Sequence, residues 1–139
     1  MSVAGRAALL AAGAAALFGL VTLWALEGRE VVVLRTNAPD GVRRETRAWI
    51  ADGDGSEWVE AANPERPFLL DLRRDPRLEV VRGGRVEERV ATPIDGEDGH
   101  RRIRALLRER YGAADAWIGL LADTSRSVAV RLDPPAAAR

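Results

Sequence analysis

The chain has 139 residues and a mass of 15.1 kDa, with 47% hydrophobic and 30% charged residues, a balance that excludes disorder and accommodates one domain. Its 21 basic residues are all arginine and are matched by 21 acids at a pI of about 6.6, so no net positive field draws it to nucleic acid. With no cysteine and one histidine, His100, the chain lacks disulfides, thiolate nucleophiles, iron–sulfur ligands and the usual zinc sets, and no metal site is expected.

Charge divides the chain in two. The first 26 residues carry only Arg6, and all other charges follow. Residues 1–6 form a flank, and residues 7–26 (AALLAAGAAALFGLVTLWAL) are an uncharged run that reaches about 30 Å as a helix, the thickness of a bilayer's hydrocarbon core. A single transmembrane helix is expected, with Trp24 as an interfacial anchor and Ala8, Ala12 and Ala16 as a small-residue stripe suited to helix pairing. Two rival readings stay open: a cleaved signal peptide with Arg6 as its positive flank, and a misassigned start upstream of the first strand. The length of the run and the lack of a clear A-x-A site before Glu27 favour an uncleaved anchor. Arg29, Arg35, Arg43, Arg44 and Arg47 outnumber Arg6, which places the following domain on the cytoplasmic side of a single-pass protein, joined by a short linker over residues 27–30.

From residue 31 the pattern changes to short alternating segments. Residues 31–36 (VVVLRT) are a β-branched run, and Asn37, Pro39, Asp40 and Gly41 supply a turn. On the next strand Thr46, Ala48 and Ile50 alternate against Arg47 and Trp49; Asp52-Gly53-Asp54-Gly55 then turns into a third strand at residues 57–62. Asp52 and Asp54 have the first two spacings of an EF-hand loop, but Glu57 stands at its required glycine and Asn63 at its bidentate glutamate, so the segment is a hairpin turn. Asn63-Pro64 reads as the start of a short helix with Phe68, Leu69 and Leu72 on one side, stopped by Asp75-Pro76. Leu78, Val80, Val86, Val90 and Ile94 mark two strands around Gly83-Gly84. After a polar break at residues 96–99, which leaves His100 in an exposed turn, Ile103, Leu106, Leu107 and Tyr111 form an amphipathic helix. Asp115 caps a second helix that carries Trp117, Leu120 and Leu121. Val128, Val130 and Leu132 form the last strand, and residues 134–139 are a frayed tail.

Six short antiparallel strands hide their edges best by closing into a barrel, so the expected fold is mainly β (α+β): a six-stranded antiparallel split β-barrel with short helices, preceded by the N-terminal transmembrane helix. Three patterns carry a resemblance over residues 31–133: L-R-T followed by a turn and R-x-x-x-R-x-W (Arg43, Arg47, Trp49), L-x-x-x-P-x-L-E-V from Leu72 to Val80, and S-R-S-V-A-V-R-L from Ser125 to Leu132. They resemble the split β-barrel flavin-binding superfamily, in particular its deazaflavin-dependent nitroreductase-like family and small relatives of that family.

The resemblance implies FMN or the deazaflavin coenzyme F-420 in a groove beside the barrel, often across a homodimer interface. It implies Arg43, Arg44 and Arg47 on the cofactor phosphate, with Arg35 and Thr36 of the first strand, and Asn63 in the loop Ala61-Ala62-Asn63-Pro64, where the family places glycine and serine. Tyr111 and Trp117 fall on the substrate side. Guanidinium forks suit a phosphate dianion; the competing reading pairs these arginines with Glu45, Glu57 and Glu60 across the sheet. Trp49, Trp58, Tyr111 and Trp117 are flat rings that either wall a planar ligand or pack the core. The implied activity is an oxidoreductase transferring a hydride from reduced cofactor to a small electrophilic substrate, which needs no histidine or cysteine of the protein. The alternative is a non-catalytic membrane-tethered module that binds a cofactor, haem or a protein partner. Convergence of the arginines on one pocket separates the two.

Overall fold

The computed structural model describes residues 2–27 and 30–137. Residues 28 and 29 of the linker, including Arg29, and residues 138–139 of the tail lie outside the described residues. The elements run α1 (Val3–Glu27), β1 (Val31–Asn37), β2 (Arg43–Gly53), β3 (Ser56–Ala61), α2 (Pro67–Arg74), β4 (Arg77–Arg82), β5 (Arg85–Ile94), α3 (Gly96–Tyr111), α4 (Ala113–Leu121) and β6 (Val128–Asp133). The strands close in the order β1-β2-β3-β6-β5-β4, each neighbour antiparallel, and β4 returns to β1 with Val33 opposite Val81. This is the expected six-stranded antiparallel barrel.

Local chemistry sets the tight connections. Asp54 and Gly55 (φ 54° and 75°) join β2 to β3, and Gly83 and Gly84 (φ 56° and 77°) join β4 to β5. Two successive left-handed residues match the twist of the strands they connect. Alternation then decides what is inside. Val32 and Leu34 of β1, Ile50 of β2, Val59 of β3, Val80 of β4 and Val130 of β6 fill the barrel, with Phe68, Leu69 and Leu72 of α2 packed on the same core. A second cluster lies outside the barrel wall, where Ile103, Leu106, Leu107 and Tyr111 of α3 cover Ala51, Trp58 and Ala129.

Several boundaries differ from the sequence reading. The short helix begins at Pro67, with Arg66 as its extended N-cap, instead of at Asn63-Pro64. The Asn63 side chain accepts from the Glu65 N–H (3.1 Å) and so builds a turn ahead of the helix, and the fixed φ of Pro67 suits the first helical position. Residues 96–99 are no break: they form the first turn of α3, where Glu97 and Asp98 face the positive end of the helix dipole. His100 therefore stands on a helix, half-buried, with Nδ1 2.8 Å from the Ser127 hydroxyl. Asp115 caps nothing, because its carboxylate is buried against Arg104 and α4 begins at Gly112 without a side-chain cap. The N-terminal helix is longer than residues 7–26, and Val3–Ala25 is long and apolar enough to cross a membrane. Residues 134–137 carry no regular structure.

Gly99 lets α3 fold back onto the end of β5. A Cβ there would stand 2.1 Å from the Ile94 carbonyl oxygen, a backbone atom that cannot swing away. Gly99→Ala should lower unfolding free energy by about 3 kcal/mol in denaturant titrations of the detergent-solubilised chain. Gly119→Ala, whose added carbon meets nothing within 4 Å, should not lower it.

The C-terminal end of α2 is tied to the barrel through Asp75. Its carboxylate accepts from Arg77 Nε (3.1 Å), Asn37 Nδ2 (3.0 Å) and the Arg77 N–H (3.2 Å). These donors, Arg77 first, hold its pKa down at about 2. Its contribution is complete above the unfolded-state value near pH ~4 and is lost as pH falls through the folded value. Thermal melts should therefore show stability declining as pH falls below ~4, with a shallower decline in Asp75→Asn.

Candidate functional site

Strand parity separates the arginines expected to act together. Thr36 points into the barrel, fully buried, and donates to Asp71 Oδ2 (2.8 Å); Arg44 Nε donates to the same oxygen (2.7 Å). A buried carboxylate at the end of the barrel occupies both groups, which places Thr36 out of reach of any ligand on the outer wall. Arg35 and Arg43 lie on the outer face: Arg35 Nε meets Glu45 (2.8 Å) and Arg43 Nη1 meets Glu79 (2.9 Å). They border a cavity of about 350 Å³ shared with Arg77, Glu79 and Arg89. Arg47, three residues from Arg44 and so on the opposite face of β2, lines a different cavity.

That second cavity, about 490 Å³, lies between the outer face of β2, the start of α2 and α4. Trp49, Phe68, Leu107 and Ile118 give it an apolar lining, and Arg47 and Arg66 border it. Among the described residues, Arg6, Arg47, Arg66 and Arg108 are the arginines whose side chains have no hydrogen bond or ion pair. Two of these four therefore flank one cavity in a protein whose other described arginines are committed.

The cavity's charged wall is a fixed clip. Arg104 of α3 donates through Nη2 to both Asp115 oxygens (2.7 Å each) and through Nη1 to Glu60 of β3 (3.1 Å). Side-chain exposures of 14%, 3% and 17% for Arg104, Asp115 and Glu60 show that water screens these charges little. The clip fastens α4 and α3 to the barrel wall. Arg104→Ala would strand two poorly solvated carboxylates and should cost about 3–5 kcal/mol in chemical denaturation.

The remaining expected residues lie elsewhere. Asn63 is in the turn before α2, its side chain engaged with the Glu65 N–H. Tyr111 donates its hydroxyl to the Ile50 carbonyl (2.6 Å), and its ring tilts against Trp49 with centroids 5.7 Å apart. Trp117 turns toward α1: its indole N–H donates to Thr22 Oγ1 (3.1 Å) and its ring lies 5.4 Å from Phe18. The structure thus unites Arg47 with Trp49 and with Arg66, Glu60 and Arg104, which the sequence reading did not assign to a site. Parity on β2 was the available signal, since residues 47 and 49 must share a face that 44 cannot.

Solved structures with the same architecture place this barrel among split-barrel folds. Conserved hypothetical protein Rv2991 of Mycobacterium tuberculosis is similar at 22% identity and a TM-score of 0.57, covering 76% of this chain and 73% of that one. An F420-H2-dependent reductase is similar at 19% identity and a TM-score of 0.54 (74% and 94%). HutZ, the heme storage protein of Vibrio cholerae, is similar at 16% identity and a TM-score of 0.57 (78% and 83%). No protein-family model and no curated protein matches the chain.

Proposed function

We propose that this split barrel is a membrane-anchored oxidoreductase of the nitroreductase-like kind, which uses FMN or the deazaflavin coenzyme F-420. The observation that carries the reading is the pair of unpaired guanidiniums, Arg47 and Arg66, beside an apolar cavity of about 490 Å³. That volume is within the range of small-molecule sites; of the carboxylates that line it with the apolar residues, Glu60 and Asp115 are neutralised by Arg104, and Asp123 is the third. The fold shared with an F420-H2-dependent reductase supports it. The residues present fit the group: Arg47 and Arg66 would hold its phosphate, and Trp49, Phe68 and Ile118 would flank its rings.

The bound cofactor would supply the hydride for a small electrophilic substrate. The chain's own part is to bind, orient and exclude water. Arg47 projects from the part of β2 that pairs with β1, opposite Val33, so the base of its side chain is held by the barrel. Arg66 directly precedes Pro67, which limits its backbone to extended conformations. The Arg104 clip keeps α4 over the cavity, where Ile118 shields it from solvent.

Anchoring by α1, with the barrel on the cytoplasmic side where reduced cofactor is present, belongs to the same reading, as does a homodimer. A closed barrel has no free sheet edge, so a dimer has to form through outward faces.

A second reading, a tethered binding module without catalysis, draws on the pairing of Arg35, Arg43 and Arg44 with carboxylates and on the fold shared with a heme storage protein. For haem, the protein's one histidine, His100, borders other cavities and is bonded to Ser127.

Equilibrium titration of the detergent-solubilised chain with FMN and with F-420 tests the proposal. Arg47→Ala and Arg66→Ala should each weaken binding about 10- to 100-fold, the usual effect of losing a charge-assisted hydrogen bond. Arg126→Ala, on an exposed ion pair with Glu65, should leave it unchanged. Binding without oxidation of the reduced cofactor by nitroaromatic acceptors would favour the module; no binding of either cofactor would sink both cofactor readings.

A further inference from the structure

Helix α4 presents an unusual surface. Its sole ionisable residue, Asp115, is buried on Arg104, and the residues it leaves exposed are apolar or small: Ala113, Ala116, Gly119, Leu120 and Leu121. Leu120 is 80% exposed and Leu121 50%. Water-facing helix surfaces ordinarily carry charge, and a charge-free apolar surface marks contact with something other than water.

The side chains beside it indicate what that is. Trp117, on the same helix, packs on Phe18 and hydrogen-bonds Thr22, so α4 lies against the last turns of α1. The apolar stretch Val3–Ala25 has 23 residues, about 34 Å at the helical rise. Phe18 stands about 10 Å before its end. If the turns that touch α4 were outside the bilayer, only residues 3–17 would remain, about 22 Å and short of a hydrocarbon core of about 30 Å. A spanning α1 therefore carries α4 into the membrane boundary, to about the depth at which interfacial helices lie. The indole N–H is suited to that place, because its partner Thr22 is the one hydroxyl in the run 7–26 and an unpaired donor there would be costly.

The first described residue after α1 is held by the barrel and α3. Glu30, three residues past the end of α1, accepts from Arg82 Nε (2.6 Å) and is paired with Arg110, while the Tyr111 hydroxyl lies 3.4 Å from its carbonyl. Arg101 and Arg108 of α3 flank the groove beside Ala116 and Gly119; Arg101 is paired with Asp98 and Glu97, and Arg108 has no partner among the described residues. Cations beside an apolar helix face match lipid headgroups above acyl chains.

We propose that α4 is a second membrane contact: Leu120 and Leu121 bed in the acyl boundary of the bilayer that α1 crosses, holding the barrel and the wall of its large cavity against the lipid surface. This rests on the reading of α1 as a membrane anchor and not on any cofactor.

The absence of cysteine makes site-specific labelling direct. Leu120→Cys, Leu17→Cys in α1 and Val86→Cys on β5 alter exposed side chains, and each labelled full chain would be reconstituted into phosphatidylcholine–phosphatidylglycerol vesicles with a polarity-sensitive fluorophore. Lipid-borne quenchers should quench the probes at positions 120 and 17 and spare position 86, with blue-shifted emission at 120. Quenching at 17 with a water-like probe at 120 overturns the proposal and leaves the anchor intact. Absence of quenching at both overturns the anchor and the proposal together. A blue-shifted but unquenched probe at 120 whose shift disappears on dilution in lipid overturns it in favour of a second copy of the chain.

Discussion

Pairing of β6 between β3 and β5 is the contact on which the rest of the molecule depends. It joins the last strand of the chain to β3, past two intervening strands of the sequence, and to β5, past α3 and α4, and it turns an open sheet into a ring without edges. Val130 and Leu132 are thereby buried in the interior, and Ala129 becomes part of the outer wall beneath α3. The same pairing obliges the chain from residue 95 to 127 to cross the outside of the barrel, and that crossing makes the candidate site. Without it α3 and α4 would have no wall to cover, and the cavity between β2 and α4 would not exist.

Arginine–carboxylate chemistry then distributes the wall's functions. Arg82 gathers Glu30, Asp52 and Glu57; Arg104 gathers Glu60 and Asp115; Arg44 shares Asp71 with Thr36. Donation from Arg82 holds Glu30 and Asp52 below the ordinary carboxylate range, in keeping with charges that stay ionised in the fold. In a chain of 21 arginines and 21 acids the informative residue is the one left out of such pairing. Arg47 and Arg66 are left out, beside the same cavity. Pairing also explains why the expected cluster of Arg35, Arg43, Arg44 and Arg47 is dispersed: Arg35, Arg43 and Arg44 are each claimed by a carboxylate that their own strand face brings within reach, and Arg47 is not.

The two helices outside the barrel give the site its surroundings. α3 brings Leu107 and Arg104; α4 brings Ile118 and Asp115, sets Trp117 against Phe18 of α1 and leaves Leu120 and Leu121 exposed. One short helix thus contributes a cavity wall on one side and an apolar face on the other. Both belong to an element of nine residues clipped to the barrel wall by a single arginine.

Much of this fold was legible because its signals are local. Two-residue turns at Asp54-Gly55 and Gly83-Gly84, β-branched alternation and the uncharged N-terminal run each act over a few residues, so strand number, strand order along the chain and the apolar helix could be read directly. Helix starts were less legible, since Asn63 and Asp115 are both good caps in isolation, but Asn63 accepts locally from the Glu65 N–H in a turn and Asp115 is drawn to Arg104. The site was least legible. Sequence determined that β2 carries Arg47 and Trp49 on one face and Arg44 on the other, because side chains alternate on any strand. Only the tertiary structure decided which carboxylate met which arginine, since Asp71, Glu79 and Asp115 lie tens of residues or a crossover away from the strands whose charges they neutralise or the cavity they wall. Ion pairs depend on distance in space, and barrel closure fixed those distances.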